Sequence, residues 1–472
     1  MKSCIVALLL LLVQQGWAQD ARTMTQAVHY IKLANTLRAV HKAQASIDLL
    51  KRALPITKRQ SLYWEAAANE LMGLSYGDLN DPKQALPYLE KARSQYATLK
   101  YVASGWAVNE VIRDIAGKNV YAGIQINASD IKVAIFKTRY ESEFYEKDIQ
   151  STFDIPNNNL FADASRTYRA SQDALRTCLD SIQHYNIPNE RIFVVLGNEV
   201  RQGLSRMPDG PQSVYAQLSQ ALPNGTIRID TTLGPRREAE LFTIGAIPRK
   251  VWPSTSALNL GEYSTTGGYI DDRKTFVGLN VPVGVGTLVK QIDGRRSLSV
   301  EAFRREAGRV VRAVADTALL PQLIQLRSGL QQRSTVGVGG DIALAIVTYL
   351  HPNQAGTAAV PISMNDVERF QKLLADDYRS LSRPNLNDVA DLATRNRAEA
   401  DVSRLLTRVN EKQLIAGVLW LESIMRAYSE GTSPKRFVFI RDSDISWVTG
   451  KFLETINYEY ESTIAKGALY TR

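Results

Sequence analysis

Residues 121–136 read YAGIQINASDIKVAIF, and the fold class turns on this stretch. Ile124 and Ile126 alternate with polar partners, Asn127-Ala128-Ser129-Asp130 form a polar cluster, and Ile131, Val133 and Ile135 resume the alternation. A period of two on both sides of turn-forming residues predicts a β-hairpin. Downstream, the pattern predicts a third strand near residues 149–155, a helix over 161–185 and a further strand, RIFVVL, at 191–196. Upstream, residues 22–116 hold no alternating run and read as amphipathic helices with short breaks. The hairpin therefore marks a boundary between an all-helical front and an α/β region.

Strand–strand–strand–helix–strand–helix is the order of the ribonuclease-H-like half domain of actin and the sugar kinases. In that fold the turn of the opening hairpin offers its amides to a phosphate. The helical front has its own signature. Met72, Gly73, Tyr76, Ala85, Leu89 and Ala92 have the residue types and spacing of a tetratricopeptide repeat, with Asn80-Asp81-Pro82 breaking the helix between them. Pro82 suits the first turn of the next helix. A looser copy, Leu33, Ala34, Leu37, Ser46, Leu50 and Ala53, precedes it by 39 residues. A third segment, 101–116, is expected to cap the stack. Such a front is expected either to dock an envelope protein or to brace the α/β region.

Both ends of the composition bound the function. Lys2, the apolar run 4–13 and the small residues Gly16 and Ala18 have the form of a signal peptide over residues 1–18. The expectation is a periplasmic or secreted protein with no membrane span in its mature chain. Cys4 would leave with the signal, and Cys178 alone makes no disulfide. The formal charge of +9 favours anionic partners (phosphates, polyphosphate, nucleic acid or a membrane surface) and selects none of them. The four histidines are scattered and neither HExxH nor CxxC occurs, which excludes the common zinc-site patterns. No GxSxG elbow occurs. No nucleic-acid-binding module is recognisable, and no nucleic-acid partner is expected.

Six segments, in order, resemble the exopolyphosphatase/guanosine pentaphosphate phosphatase (Ppx/GppA) family. Residues 121–136 are similar to its first phosphate loop, and Asn198-Glu199-Val200-Arg201 to its TSAxR segment. Residues 238–246 (EAELFTIGA) resemble its EARLIYxGA helix, and 257–266 (ALNLGEYSTT) its second phosphate loop, DIGGGST. Val281-Pro282-Val283-Gly284 resembles a PLG turn, and 336–345 (VGVGGDIALA) an adenosine-side glycine segment. The resemblance implies a two-lobed actin-like ATPase (ribonuclease-H-like) α/β fold preceded by an all-α tetratricopeptide-like module. The corresponding divisions are 19–117 for the repeats, 118–248 for the first lobe and 249–472 for the second with its C-terminal helices.

The resemblance also implies a site. Glu238 would activate water and Arg201 would hold a phosphoryl group. Gln125, Asn127 and Ser129 would form the first phosphate loop, Asn259, Gly261, Ser264 and Thr265 the second, and Gly337, Gly339 and Gly340 the glycine segment. The family's two metal-holding aspartates are replaced by Gln125 and Asn259, so binding of Mg or Mn is expected to be weakened. Asp130 and Glu262 are acids near the two turns that would have to serve instead. Away from the resemblance, Glu238 reads as a surface carboxylate paired with Arg236 or Arg237, and Arg305, Arg309 and Arg312 as one basic helix face. Two functions are expected to compete: hydrolysis of phosphoanhydrides in polyphosphate or a related polyanion, and ligand or protein binding by a catalytically impaired relative.

Overall fold

The computed structural model describes residues 20–116, 119–127, 130–141, 144–156, 164–197, 200, 210–223, 226–231, 233–430 and 434–469. Residues 1–19, Ser129 and Arg201 lie outside the described residues, and with them the signal-peptide expectation and two of the predicted site positions. The described chain divides into two compact units, residues 1–120 with 459–472, and residues 121–458.

The first unit is helical: α1 (Met24–Ala39), α2 (Ala43–Gln60), α3 (Leu62–Asp78), α4 (Pro82–Thr98) and α5 (Val102–Ile115). Thr23, Ser61 and Asp81 cap three of these helices, each accepting a backbone N–H three residues on. Each such bond satisfies an amide that a helix start leaves unpaired. Left-handed His41, Asn80 and Lys100 (φ 58°, 57° and 61°) make the turns that follow α1, α3 and α4. Those at His41 and Asn80 are 39 residues apart, which accounts for the long offset between the two copies. The predicted repeat positions are buried: Ala34, Leu50, Ala53 and Met72 in one cluster, Ala85, Leu89 and Ala92 in the next. A Cβ on Gly73 would come within 2.8 Å of Leu89 Cδ2, so the glycine permits the close approach of α3 to α4.

The second unit contains two sheets. In the first, β1 (Val120–Ile126), β2 (Asp130–Tyr140), β3 (Tyr145–Pro156), β4 (Ile192–Leu196) and β5 (Ile229–Asp230) take the order β3-β2-β1-β4-β5. β2 and β3 are antiparallel, while β1, β4 and β5 are parallel. Helices α6 (Ala164–Gln183), α7 (Gly210–Ser219) and α8 (Pro235–Ala246) complete this part of the chain. The second sheet contains β6 (Thr255–Leu260), β7 (Thr265–Ile270), β8 (Phe276–Val281), β9 (Thr335–Gly339), β10 (Ala359–Ile362) and β11 (Arg436–Ile440), in the order β10-β11-β9-β6-β7-β8. β6, β7 and β8 are an antiparallel meander, and β6, β9 and β11 are parallel.

With the edge strand β10 left out of the count, each sheet, numbered from its own first strand, has the order 3-2-1-4-5. One ribonuclease-H-like topology thus occurs twice in tandem, which is the two-lobed actin-like ATPase architecture. The second lobe also carries α9 (Val285–Asp293), α10 (Val300–Val314), α11 (Leu320–Gln331), α12 (Asp341–Leu350), α13 (Met364–Asp377), α14 (Leu392–Arg408), α15 (Glu411–Ser429) and α16 (Ser446–Leu469). No described helix is long and apolar enough to cross a membrane.

Helices α8 and α16 meet backbone to backbone. A Cβ on Gly245 would lie 2.8 Å from Gly450 N and 2.9 Å from the Ser446 carbonyl carbon. A Cβ on Gly450 would lie 2.7 Å from the Leu241 carbonyl carbon. The start of α16 also rests on the first sheet, where Gly123 leaves room for Val448 and Gly197 for Trp447. Glycines on both sides of the crossing remove the side chains that would otherwise hold the elements apart.

Candidate functional site

The first loop is the tip of the β1–β2 hairpin. Asn127 N donates to Asp130 O (2.9 Å) and Asn127 Nδ2 to Asp130 Oδ1 (2.6 Å), closing the turn. Gln125 is buried behind it and donates through Nε2 to Asn127 Oδ1 (3.2 Å) and to the Asp444 carbonyl (2.8 Å). Both partners are acceptors. A carboxylate at position 125 has nothing to donate and would face two oxygens, so the amide is the group this arrangement requires. Gln125 Oε1 is buried with no hydrogen-bond partner among the described residues.

The second loop joins β6 to β7. Gly261 N donates to Ser264 O (3.0 Å), and the loop carbonyls accept from the start of α9: Val285 N to Gly261 O (3.0 Å) and Gly286 N to Glu262 O (2.8 Å). The first amides of a helix are the usual donors to a bound anion. Here two of them are spent on the loop. The Glu262 side chain lies over Gly286, whose Cβ would meet it, and accepts from Gln413 Nε2 (3.2 Å). Burial pushes the Glu262 carboxyl above its usual range.

The expectation that Thr265 serves the second phosphate loop needs correction. Its hydroxyl is fully buried, donates to Val283 O (2.8 Å) and accepts from Trp420 Nε1 (2.8 Å), so it organises the core. Asn259 sits mid-sheet in register with Thr266 and Gly339, which brings the second loop beside the glycine segment.

In that segment, Gly337 and Gly339 end β9 against Ile247 and Phe242, respectively. Gly340 has φ +104°, and a Cβ there would lie 3.2 Å from the Leu260 carbonyl carbon and nearer its oxygen. Only glycine meets both conditions. Asp341 follows as the first residue of α12.

Two arginines from α14, which the sequence reading did not single out, join these parts. Arg408 binds Asp130 at the first turn and Asp154 near the end of β3 (2.7 Å), and lies 3.9 Å from Asp341. One turn earlier, Arg404 binds Asp444, which also accepts from Lys132 Nζ of β2 (2.6 Å). Burial pushes the Asp444 carboxyl up, but Lys132 and Arg404 outweigh it and leave the group far below the usual carboxylate range. Burial pulls Arg404 down, and Asp444, Asp341 and Asp154 outweigh it in the same way. Three cations and four carboxylates thus meet between the loops, a net charge of −1. The i, i+4 spacing of Arg404 and Arg408 was visible in the sequence; the acids they face come from four separate elements.

Mg²⁺ is usually held through one or two carboxylates and substrate oxygens. Gln125 and Asn259 carry no charge, Asp130 is taken by Arg408 and Asn127, and Glu262 is engaged by Gln413. Among the described residues no group of three His, Cys, Asp or Glu is placed to hold a metal ion. These residues do not fit a divalent cation.

Glu238 stands in the first turn of α8 and is 2% exposed, which overturns the reading of it as a surface carboxylate. Arg237 pairs instead with Glu240 (2.8 Å) and Glu454, and Arg236 donates to Phe276 O (3.3 Å). Two helical turns, about 10 Å, separate Glu238 from Gly245 at the α16 crossing. Arg305 and Arg309 are exposed on α10, and Arg309 pairs with Glu306 (2.8 Å). Lys250 pairs with Glu141, and Arg249 lies over the Phe144 and Trp252 rings.

No protein-family model matches the chain, and no curated protein matches it. Among solved structures, it is similar to an exopolyphosphatase from Cytophaga hutchinsonii, at 11% identity and a TM-score of 0.48, over 71% of this chain and 98% of that one. A Ppx/GppA family member from Aquifex aeolicus matches at 12% identity and a TM-score of 0.46, over 69% and 96%. A ROK hexokinase from Thermus thermophilus matches at 10% identity and a TM-score of 0.33, over 72% and 99%. The two-lobed assignment rests on the strand orders given above, and no activity is carried over from these structures.

Proposed function

We propose that this chain is a catalytically impaired relative of the exopolyphosphatases that works by binding, its cleft being closed to phosphate chains. The observation that carries this reading is Arg408 seated between Asp130, Asp154 and Asp341, where the two loops and the glycine segment approach one another. A cleft with a net charge of −1 and no fitting cation site repels an incoming polyanion. At 6 Å, one such unit of like charge is worth about 3 kcal/mol at an effective dielectric of 20. The spent amides of α9 remove the other means of holding a phosphate.

The buried carboxylate of Glu238 favours a second reading, hydrolysis of polyphosphate with Glu238 as general base. Phosphate release from polyphosphate by the purified protein, with and without Mg²⁺ or Mn²⁺ and beside Glu238→Ala, separates the two. No release in any condition supports the binding protein. Metal-dependent release lost in Glu238→Ala establishes the hydrolase.

The binding role is assigned to the helical unit, with export inferred from the form of residues 2–18. Exposed Tyr63 and Tyr101 meet edge to face (5.7 Å) on that unit, and exposed Leu62 and Val102 are adjacent to them in the chain. Recovery of an envelope protein by the intact chain, lost in Tyr63→Ala/Tyr101→Ala, is the expected result. Equal recovery by both removes this patch from the interface.

A further inference from the structure

In a two-lobed fold the lobes are joined along one side, and whatever bridges them across the cleft sets how far they open. At the join, α8 and α16 are in backbone contact through Gly245 and Gly450. Three links run from the first lobe to the second: Arg408 to Asp130 and Asp154, and, beside the start of α16, Lys132 to Asp444 and Gln125 to the Asp444 carbonyl. Every bridging group belongs to the chain itself. The Arg408, Asp130, Lys132 and Asp444 side chains are each less than about a quarter exposed (19%, 15%, 6% and 21%), so water screens them poorly.

We propose that Arg408, bound to Asp130 and Asp154, is the ionic clasp that holds the two lobes closed, an intramolecular substitute for a bound bridging ligand, while Arg404 pairs with Asp444 within the second lobe and positions it for Lys132. The carboxylates occupy donors that would otherwise be open to phosphate oxygens: Nη2 of Arg408 meets both Asp130 and Asp154, and Nη2 of Arg404 meets Asp444. Without the arginines, Asp130, Asp154, Asp341 and Asp444 would face one another with Lys132 as the remaining cation of the cluster, a net charge of −3. Opening is then driven by repulsion, beyond the loss of attraction. The clasp does not depend on whether the protein hydrolyses polyphosphate.

The test places nitroxide labels on exposed Gln150 of β3 and exposed Glu399 of α14 in the full chain, as cysteine substitutions, and measures their separation by pulsed electron resonance. The parent should give one narrow distance distribution. Arg404→Ala/Arg408→Ala should shift it to longer, broader distances, and Arg404→Lys/Arg408→Lys should retain more of the parent distribution than the alanine pair. An unchanged distribution in the alanine variant overturns the clasp. Should that variant not fold, the single variant Arg408→Gln decides the matter: its distances should lengthen, and an unchanged distribution overturns the proposal. Phosphate release is measured on the same samples: release gained by the opened variant refutes the impaired reading and leaves the clasp standing as an autoinhibitory contact.

Discussion

Replacing Gly245 by alanine sets two effects against each other, and the structure decides which wins. Gly245 is the last residue but one of α8, where alanine is favoured over glycine by no more than the value for a helix interior, about 1 kcal/mol. At Gly245, however, the added methyl would sit 2.8 Å from Gly450 N and 2.9 Å from the Ser446 carbonyl carbon. Both are backbone atoms of α16 and have no rotamer to move out of the way. Overpacking typically costs 1–3 kcal/mol, and immovable neighbours put this site near the upper end. Net destabilisation of about 2 kcal/mol is expected. Gly308, in the middle of α10, provides the control, because a Cβ there meets nothing within 4 Å. Gly308→Ala should stabilise by about 0.5–1 kcal/mol. Urea unfolding followed by far-ultraviolet circular dichroism should move the midpoints of the two variants in opposite directions. A Gly245→Ala protein as stable as its parent would refute the close crossing of α8 and α16, and with it the geometry of the lobe junction.

Two further outcomes follow from the cleft. Gln125→Glu loses two donated hydrogen bonds and aims a carboxylate at Asn127 Oδ1 and the Asp444 carbonyl, so a loss on the order of 3 kcal/mol is expected in the same unfolding assay. A neutral result would show that the amide is not tied as described. The Asp444 carboxyl is held below its unfolded value of about 3.9. The stability it contributes is therefore fully present above that value and is lost as pH falls through the acid range toward the folded value. Asp444→Asn should lower the midpoint at neutral pH and flatten its decline on acidification; an unchanged acid limb would exclude Asp444 as its source.

Much of the fold was legible because local patterns report local structure. The alternation in residues 121–136 predicts the β1–β2 hairpin, and the small-residue positions Gly73, Ala85 and Ala92 predict the close helix packing of the first unit. The glycine segment was legible from the resemblance; what requires glycine at position 340 is its own φ and the carbonyl of Leu260, a distant residue in sequence. Reading Thr265 as a site hydroxyl failed because its partners, Val283 and Trp420, lie 18 and 155 residues away.

By itself the sequence determined that a helical unit precedes a hairpin-led α/β region, which periodicity carries without reference to distant neighbours. It also places amides at positions 125 and 259, where the family resemblance implies acids. Only the tertiary structure decided what those replacements do. It brings Asp444 to Gln125 across 319 residues and Arg408 to Asp130 across 278. Charge pairing across a cleft depends on which surfaces the fold brings together, and the spacing of residues along one helix cannot express that.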